Sequence, residues 1–280
     1  MKKKLLIRNN QGHDLAVHIA GRGHPLLCIS GFGCSHYNFK FLYPFFQDQF
    51  EVIMIDNRGM GESYDPSSEY ELMDVAQDAV DVMKALGHEK FHLVGISMGG
   101  FVSQLLTIKY PQNVLSLQLL CTTSGGDDFI ALPKMDEETL TRFQDIPEPK
   151  RTEVAIAATV HPTLPIQNPK LFNQIIELRR SHPARLEQLL KQKRAVDRFL
   201  AKPIPLYEIK ASTLVLTGAE DRFVNPANAL RLREKIAGSR LGVIPDTDHL
   251  FFLENSAMTT EMMKNFLNDC LGENKNENHA

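Results

Sequence analysis

Three residues far apart in the chain, Ser97, Asp221 and His249, have the types and the order needed to cleave an acyl bond. Ser97 is the centre of Gly95-Ile96-Ser97-Met98-Gly99, set between an apolar run and an amphipathic one. In a G-x-S-x-G of this kind the serine stands on a sharp turn where a strand ends and a helix begins, and small residues two positions away on either side prevent collisions. Such a turn imposes a strained backbone that persists only where the fold enforces it. An ordinary serine in a Gly-rich turn would leave the same five residues, so the partners decide. A serine hydroxyl is a poor nucleophile near neutral pH and needs a base within hydrogen-bond reach, oriented in turn by a third group. Imidazole suits that base because it titrates near working pH.

For a serine on a central strand the partners belong on loops after later strands, in the order serine, acid, histidine. The first such loop is Gly218-Ala219-Glu220-Asp221-Arg222-Phe223-Val224-Asn225-Pro226, with Asp221 at its lip. The second is Pro245-Asp246-Thr247-Asp248-His249, followed by the apolar Leu250-Phe251-Phe252 that can anchor it. Glu220, Asp248, Asp127 and Asp128 are rival acids; Asp221 is preferred because a short loop fixes its distance from the sheet. Among the other histidines, His88 and His92 flank a strand start, and His161 and His182 lie in a helical stretch. His36 is the main rival to His249, being close to Ser30-Gly31-Phe32-Gly33. That segment matters because a tetrahedral intermediate needs preorganised donors for its oxyanion, each worth about 3–4 kcal/mol of barrier. Met98 N–H, at the start of a helix and favoured by its dipole, is one donor. Phe32 N–H is the second, with Gly33 behind it.

The elements that must position these groups can be read from periodicity. Strand-like segments recur at Lys4–Arg8, Leu15–Ile19, Pro25–Ile29, Val52–Ile55, Phe91–Ile96, Val114–Leu120, Thr213–Thr217 and Leu241–Ile244. The first two alternate apolar and polar residues about Asn10-Gln11-Gly12, as an edge hairpin does. The later ones are continuous apolar runs, suited to strands covered on both faces. Between them, Leu72 to Leu86 places Val75, Ala76, Ala79, Val82, Met83 and Leu86 on one helical stripe, and Gly87 follows as a left-handed cap. A second helix runs from Met98 to Tyr110 and halts at Pro111. This alternation predicts an α/β fold with a doubly wound, mostly parallel eight-stranded sheet. From 128 to 205 it breaks into helical patterns punctuated by prolines, which predicts a helical cap inserted over the carboxyl edge of the sheet, where ligands bind. The expected organisation is a core of 1–127 and 206–271, a cap of 128–205 and a polar, flexible tail of 272–280. Basic residues from Arg179 to Lys202 read as a solvated helix face, with steering of an anionic substrate as the second reading.

Composition narrows the classes. With 43% hydrophobic and 23% charged residues the 280-residue chain resembles an ordinary soluble globular enzyme. A net charge of −3 lacks the basic footprint of a nucleic-acid partner. No stretch approaches a transmembrane helix. Met1-Lys2-Lys3-Lys4-Leu5-Leu6-Ile7-Arg8 begins like an export signal, but its apolar part is too short to be one. Cys28, Cys34, Cys121 and Cys270 show neither C-x-x-C nor metal-like spacing, so reduced thiols in a cytoplasmic protein are expected. Oligomeric state is not legible.

Ser30-Gly31-Phe32-Gly33, the turn Asp56-Asn57-Arg58-Gly59-Met60-Gly61-Glu62-Ser63 (D-x-R-G-x-G-x-S), the serine pentapeptide and His249 together make the chain resemble the α/β-hydrolase family, in the subgroup with a helical cap. The resemblance implies Ser97 as nucleophile, Asp221 as acid and His249 as base, in a cofactor-free, metal-free serine hydrolase of a small carboxylic ester, lactone or thioester. Gly-x-Ser-Met-Gly-Gly and Cys121-Thr122-Thr123-Ser124-Gly125-Gly126 are similar to the enol-lactonase and small-ester hydrolase branch. C–C bond hydrolysis or acyl transfer with the same triad, and a non-catalytic ligand receptor, are the alternatives. Dehalogenases and epoxide hydrolases of this fold carry aspartate at the elbow, where this chain has Ser97. Two departures stand out. The family has His-Gly where this chain has Ser30-Gly31, and glycine precedes the histidine where this chain has Asp248. A carboxylate there would raise the imidazole pKa if it pointed inward, and would matter little if it faced solvent.

Overall fold

A strand covered on both faces needs apolar side chains at successive positions, and the central runs supply them. The computed structural model describes residues 2–277. One sheet is built from β1 (Lys2–Arg8), β2 (Asp14–Gly21), β3 (His24–Ile29), β4 (Phe50–Ile55), β5 (Phe91–Ile96), β6 (Val114–Leu120), β7 (Ser212–Gly218) and β8 (Arg240–Ile244). Their spatial order is β1-β2-β4-β3-β5-β6-β7-β8. β2 is antiparallel to β1 and β4, and every other pairing is parallel. Neighbouring residues of one strand feed opposite cores. Leu27, Leu93, Leu119 and Val215 pack on the face that carries α1 (Leu72–Ala85) and α2 (Met98–Lys109). Leu26, Val94, Leu120 and Leu216 pack on the other face, with Phe39, Phe251 and Phe266. This is the doubly wound α/β sheet that the alternation predicts. Gly87, at φ 82°, follows the end of α1 as expected.

Between β6 and β7 the chain forms α3 (Glu137–Gln144), α4 (Lys150–Ala157), α5 (Leu164–Gln167), α6 (Pro169–Arg180) and α7 (Leu186–Leu200). These helices rest on loops that follow the carboxyl ends of the strands. Gly126 N–H donates to Leu200 C=O and Leu250 N–H to Thr159 C=O, both at 3.0 Å. Arg222 Nη2 donates to Val160 C=O at 2.8 Å. The basic run is only in part the solvated face it reads as, with Arg180, Arg185 and Lys202 exposed. Arg179 and Lys191 turn inward, Lys191 donating to Pro66 C=O at 2.7 Å. Arg194 and Arg198 pair with Glu69 and Glu71. After β7 come α8 (Ala227–Lys235), α9 (Phe251–Glu254) and α10 (Ser256–Glu277). Of the expected 272–280 tail, the part up to Glu277 is helical and 278–280 lie outside the described residues. Among the described residues no helix is long and apolar enough to cross a membrane.

Two features of this frame hold the loops around Ser97. The first is the turn between β5 and α2, where Ser97 takes φ 53° and ψ −118°. Its N–H donates to Leu120 C=O at 2.8 Å, and its C=O accepts from Thr122 Oγ1 at 2.8 Å. Gly99 lets α2 close onto β3: a Cβ there would lie far inside contact distance of Ile29 O. The second is the turn after β4. Arg58 grips Asp78 of α1 in a buried bidentate pair at 2.8 and 2.9 Å. Asp56, fully buried, accepts backbone N–H groups from His36 at 2.8 Å and Glu62 at 3.0 Å and faces the rings of His36 and His18. Burial pushes the Asp56 carboxyl up, but the hydrogen bonds from His18, His36 and Glu62 outweigh it and hold it well below the usual carboxylate range.

A Gly→Ala change in an exposed helix stabilises by about 0.5–1 kcal/mol. Gly99→Ala is expected to do the reverse, costing about 2 kcal/mol or more by overpacking against a backbone that cannot move aside, as read by the urea midpoint. A carboxyl depressed in the folded state contributes stability that is complete above its unfolded pKa of about 3.9 and declines as pH falls towards the folded value. The stability gap between wild type and Asp56→Asn should therefore be flat from pH 7 to 5 and narrow below about pH 4 in urea titrations.

Candidate active site

β7 and β8 end in register, Gly218 opposite Ile244, so their loops leave the sheet side by side. Ala219 N–H to Ile244 C=O at 2.9 Å and Glu220 N–H to Thr247 C=O at 3.0 Å extend that pairing. Asp221 then turns back. Its Oδ1 accepts the N–H groups of Phe223 at 2.9 Å and Val224 at 2.7 Å, leaving Oδ2 for His249 Nδ1 at 2.9 Å. His249 Nε2 lies 3.1 Å from Ser97 Oγ. Asp221 and His249 are buried, and the Phe223 ring covers the imidazole at 5.0 Å. With the proton on Nδ1 held by Asp221, the Nε2 lone pair faces the serine hydroxyl. The structure thus brings Ser97, His249 and Asp221 into one hydrogen-bonded chain.

The rivals are committed elsewhere. Glu220 meets His161 Nε2 at 3.0 Å, and Asp128 pairs with Lys235. Asp127 is exposed. His36 is held by Asp56, as described above. His92 is a buried residue of β5, 2.7 Å from Ser116 Oγ on β6; burial, with the neighbouring His24, pushes its imidazole down to about 4. Asp248 takes neither orientation expected of it. It is fully buried, yet it turns from the imidazole ring to accept Arg222 N–H at 2.8 Å and its own neighbour's His249 N–H at 2.7 Å, and it pairs with the Arg222 guanidinium.

Met98 is the first residue of α2, so its N–H has no acceptor within the helix. Gly31 packs beside the serine: a Cβ on it would stand 3.3 Å from Ser97 Cβ. The Gly31 C=O accepts Cys34 N–H at 3.2 Å. Because a trans peptide points its C=O and N–H in opposite directions, the Phe32 N–H leaves on the other side of that turn. Gly33 N–H is not free to share the task, since Gln192 Oε1 takes it at 2.6 Å. Ser30, standing where the family has histidine, closes the base of the loop by donating from Oγ to Ser35 C=O at 2.7 Å.

Sequence reading missed Thr122, Gln192, Arg179 and Arg222, each of which braces a loop at the site. None belongs to a periodic pattern, and Arg179 was hidden in the basic run. His18, His36 and Asp56 have the composition of a metal site and lie close together. Their geometry suits hydrogen bonding instead. The two rings stack at 3.4 Å with 16° between planes, so their lone pairs run side by side and do not converge on one ion. Both Asp56 oxygens already accept backbone N–H groups.

Comparison with known proteins identifies the family. The model of the family described as alpha/beta hydrolase fold matches residues 24–256. The chain is 29% identical over 266 residues to the 2-hydroxy-6-oxononadienedioate/2-hydroxy-6-oxononatrienedioate hydrolase of Escherichia coli, covering 91% of this chain and 92% of that protein. A thermophilic esterase from Thermogutta terrifontis superposes with a TM-score of 0.81 at 24% identity, over 96% of this chain and 99% of that one. The enol-lactonase of Burkholderia xenovorans LB400 superposes with a TM-score of 0.82 at 19% identity, over 95% and 100%. At such identities the two structures speak for the fold alone. With a family match running from β3 into α10 and a hydrolase relative aligned along nearly its whole length, the chain belongs to the α/β-hydrolase fold family and is a hydrolase.

Proposed function

We propose that this hydrolase cleaves a small carboxylic ester, lactone or thioester through an acyl-enzyme formed on Ser97. The observation that carries this reading is the unbroken chain Asp221 Oδ2–His249 Nδ1–His249 Nε2–Ser97 Oγ, at 2.9 and 3.1 Å. His249 takes the hydroxyl proton as Ser97 Oγ attacks the acyl carbon. Asp221, fixed by two backbone N–H groups, holds the ring and stabilises the imidazolium. The carbonyl oxygen becomes an oxyanion between the Met98 and Phe32 N–H groups, where donors set before the reaction cost no reorganisation during it. His249 then protonates the leaving group, and the acyl-enzyme forms. Water, deprotonated by the same imidazole, attacks the acyl carbon and releases the acid with Ser97 restored. Each step draws on protein groups and water alone. The helices between β6 and β7 act as a cap whose inner side chains select the acyl group.

A second reading keeps the triad and changes the bond: hydrolysis of a C–C bond in a 2-hydroxy-6-oxo-dienoate. It is favoured by the curated relative in Escherichia coli, whose name specifies such substrates.

A fluorophosphonate probe should label the wild type once, at Ser97, and label Ser97→Ala not at all; labelling that survives in the variant removes Ser97 from its role. Asp221→Asn should keep the fold and lose kcat by on the order of 10³–10⁴, through loss of the correct imidazole tautomer. Turnover of short p-nitrophenyl esters, lactones and thioesters against ring-fission dienoates separates the two readings, and activity confined to the dienoates would replace the first by the second.

A further inference from the structure

The loop that carries Phe32 is fixed from outside itself. Gly31-Phe32-Gly33-Cys34 is a hydrogen-bonded four-residue turn in which Gly33, at the third position, has φ 63°. Positive φ there and not at Phe32 marks a type II turn. A type I turn of the same residues would rotate the middle peptide, Phe32–Gly33, and turn the Gly33 N–H away from its present direction, freeing the turn from the insertion while the Gly31–Phe32 peptide kept its orientation. The groups that select the observed form come from the helical insertion. Gln192 on α7, fully buried, accepts the Gly33 N–H at 2.6 Å. Arg179 on α6 donates from Nη1 to the Gly33 C=O at 2.5 Å and reaches Cys34 Sγ and Tyr37 Oη from the same nitrogen. Its three acceptors all belong to this one segment, so the guanidinium acts here as a set of aimed donors. The fit leaves no slack: a Cβ on Gly33 would collide with Leu189 of α7 and crowd Arg179 Nη2 at 3.3 Å.

We propose that Gln192 and Arg179 are positioning residues for the oxyanion donor. By holding the N–H and the C=O of Gly33 they pin the whole turn, and with it the position of the Phe32 N–H beside Ser97, so the insertion takes part in building the oxyanion site as well as in covering it. The proposal rests on the serine-hydrolase reading above. A role limited to packing the insertion onto the core would differ in its kinetics. It would show in stability and substrate binding and would leave transition-state binding untouched.

The full-length enzyme, assayed on a short p-nitrophenyl ester, distinguishes these. Gln192→Met and Arg179→Met should each lower kcat by about 10- to 100-fold with KM changed less than about threefold, since a donor aimed wrongly is lost only in the transition state. Affinity for a trifluoromethyl ketone of matching acyl length, whose adduct places an oxyanion in the same hole, should fall by the same factor as kcat/KM. Affinity for the product acid should stay constant. Gln192→Glu retains the acceptor and should recover most of kcat, and Arg179→Lys part of it. Where a Met variant does not fold, Gln192→Asn, one methylene too short to reach Gly33, replaces it in the comparison with Gln192→Glu. Folded variants with unchanged kcat, or a loss of kcat without a matching loss of ketone affinity, overturn the proposal while an active, Ser97-labelled wild type leaves the hydrolase reading standing. A wild type that neither labels nor turns over any acyl substrate overturns both.

Discussion

The backbone of Ser97, at φ 53° and ψ −118°, is a conformation costing of order 1–3 kcal/mol that a free chain would leave, and the rest of the site depends on its being held. What holds it is close packing of main chain on main chain. Gly99 admits the carbonyls of Ile29 and Ser30, and Gly100 admits Thr122, whose hydroxyl in turn ties the Ser97 carbonyl. The consequence reaches beyond the serine. Ile29 ends β3, so the contact that seats α2 also draws the loop after β3, and with it Gly31 and Phe32, against Ser97. One steric requirement thus brings together Ser97 and the two segments, at Phe32 and Met98, whose N–H groups are proposed to hold an oxyanion.

Asp221 and His249 reach Ser97 by a different means. They depend on the parallel pairing of β7 with β8 and on two further backbone hydrogen bonds that zip their loops past the sheet edge. Asp221 is a good orienting group because its other oxygen is already saturated by two N–H groups of its own turn. Asp248 looks in sequence like a second carboxylate competing for the imidazole, but Arg222 claims it. Since Arg222 also reaches Val160, the pair spends its charge on tying the base loop to the helical insertion.

Strand runs, α1 and α2, and the doubly wound, mostly parallel character of the sheet were legible because each depends on local periodicity and its alternation. Ser97, Asp221 and His249 were legible because chain order carries them to the same sheet edge. The bracing residues were not. Gln192 and Arg179 act on the backbone of Gly33, and a side chain that bonds to main chain leaves no complementary residue type to search for. The basic run misled for the same reason. Its helical spacing resembles a solvated face, yet Lys191 ends on Pro66 C=O and Arg198 on Tyr70 C=O, acceptors that have no sequence signature.

That distinction also divides the insertion's attachment into two kinds. Near Phe32 it is held by buried bonds to main chain, from Gln192 and Arg179, in surroundings where an unmade hydrogen bond leaves a desolvated group unpaired. Over the 65–71 segment the buried Lys191 again bonds main chain, at Pro66 C=O, but beside it stand partly exposed pairs, Arg185 with Asp65, Arg194 with Glu69 and Arg198 with Glu71. Pairs of that sort contribute about 0–1 kcal/mol each and are screened by salt. The ion pairs can therefore loosen at little cost while the main-chain bonds of Lys191, Gln192 and Arg179 persist. The turn that carries Phe32 is thereby held in one form before any substrate arrives, as preorganisation of the proposed oxyanion donor requires.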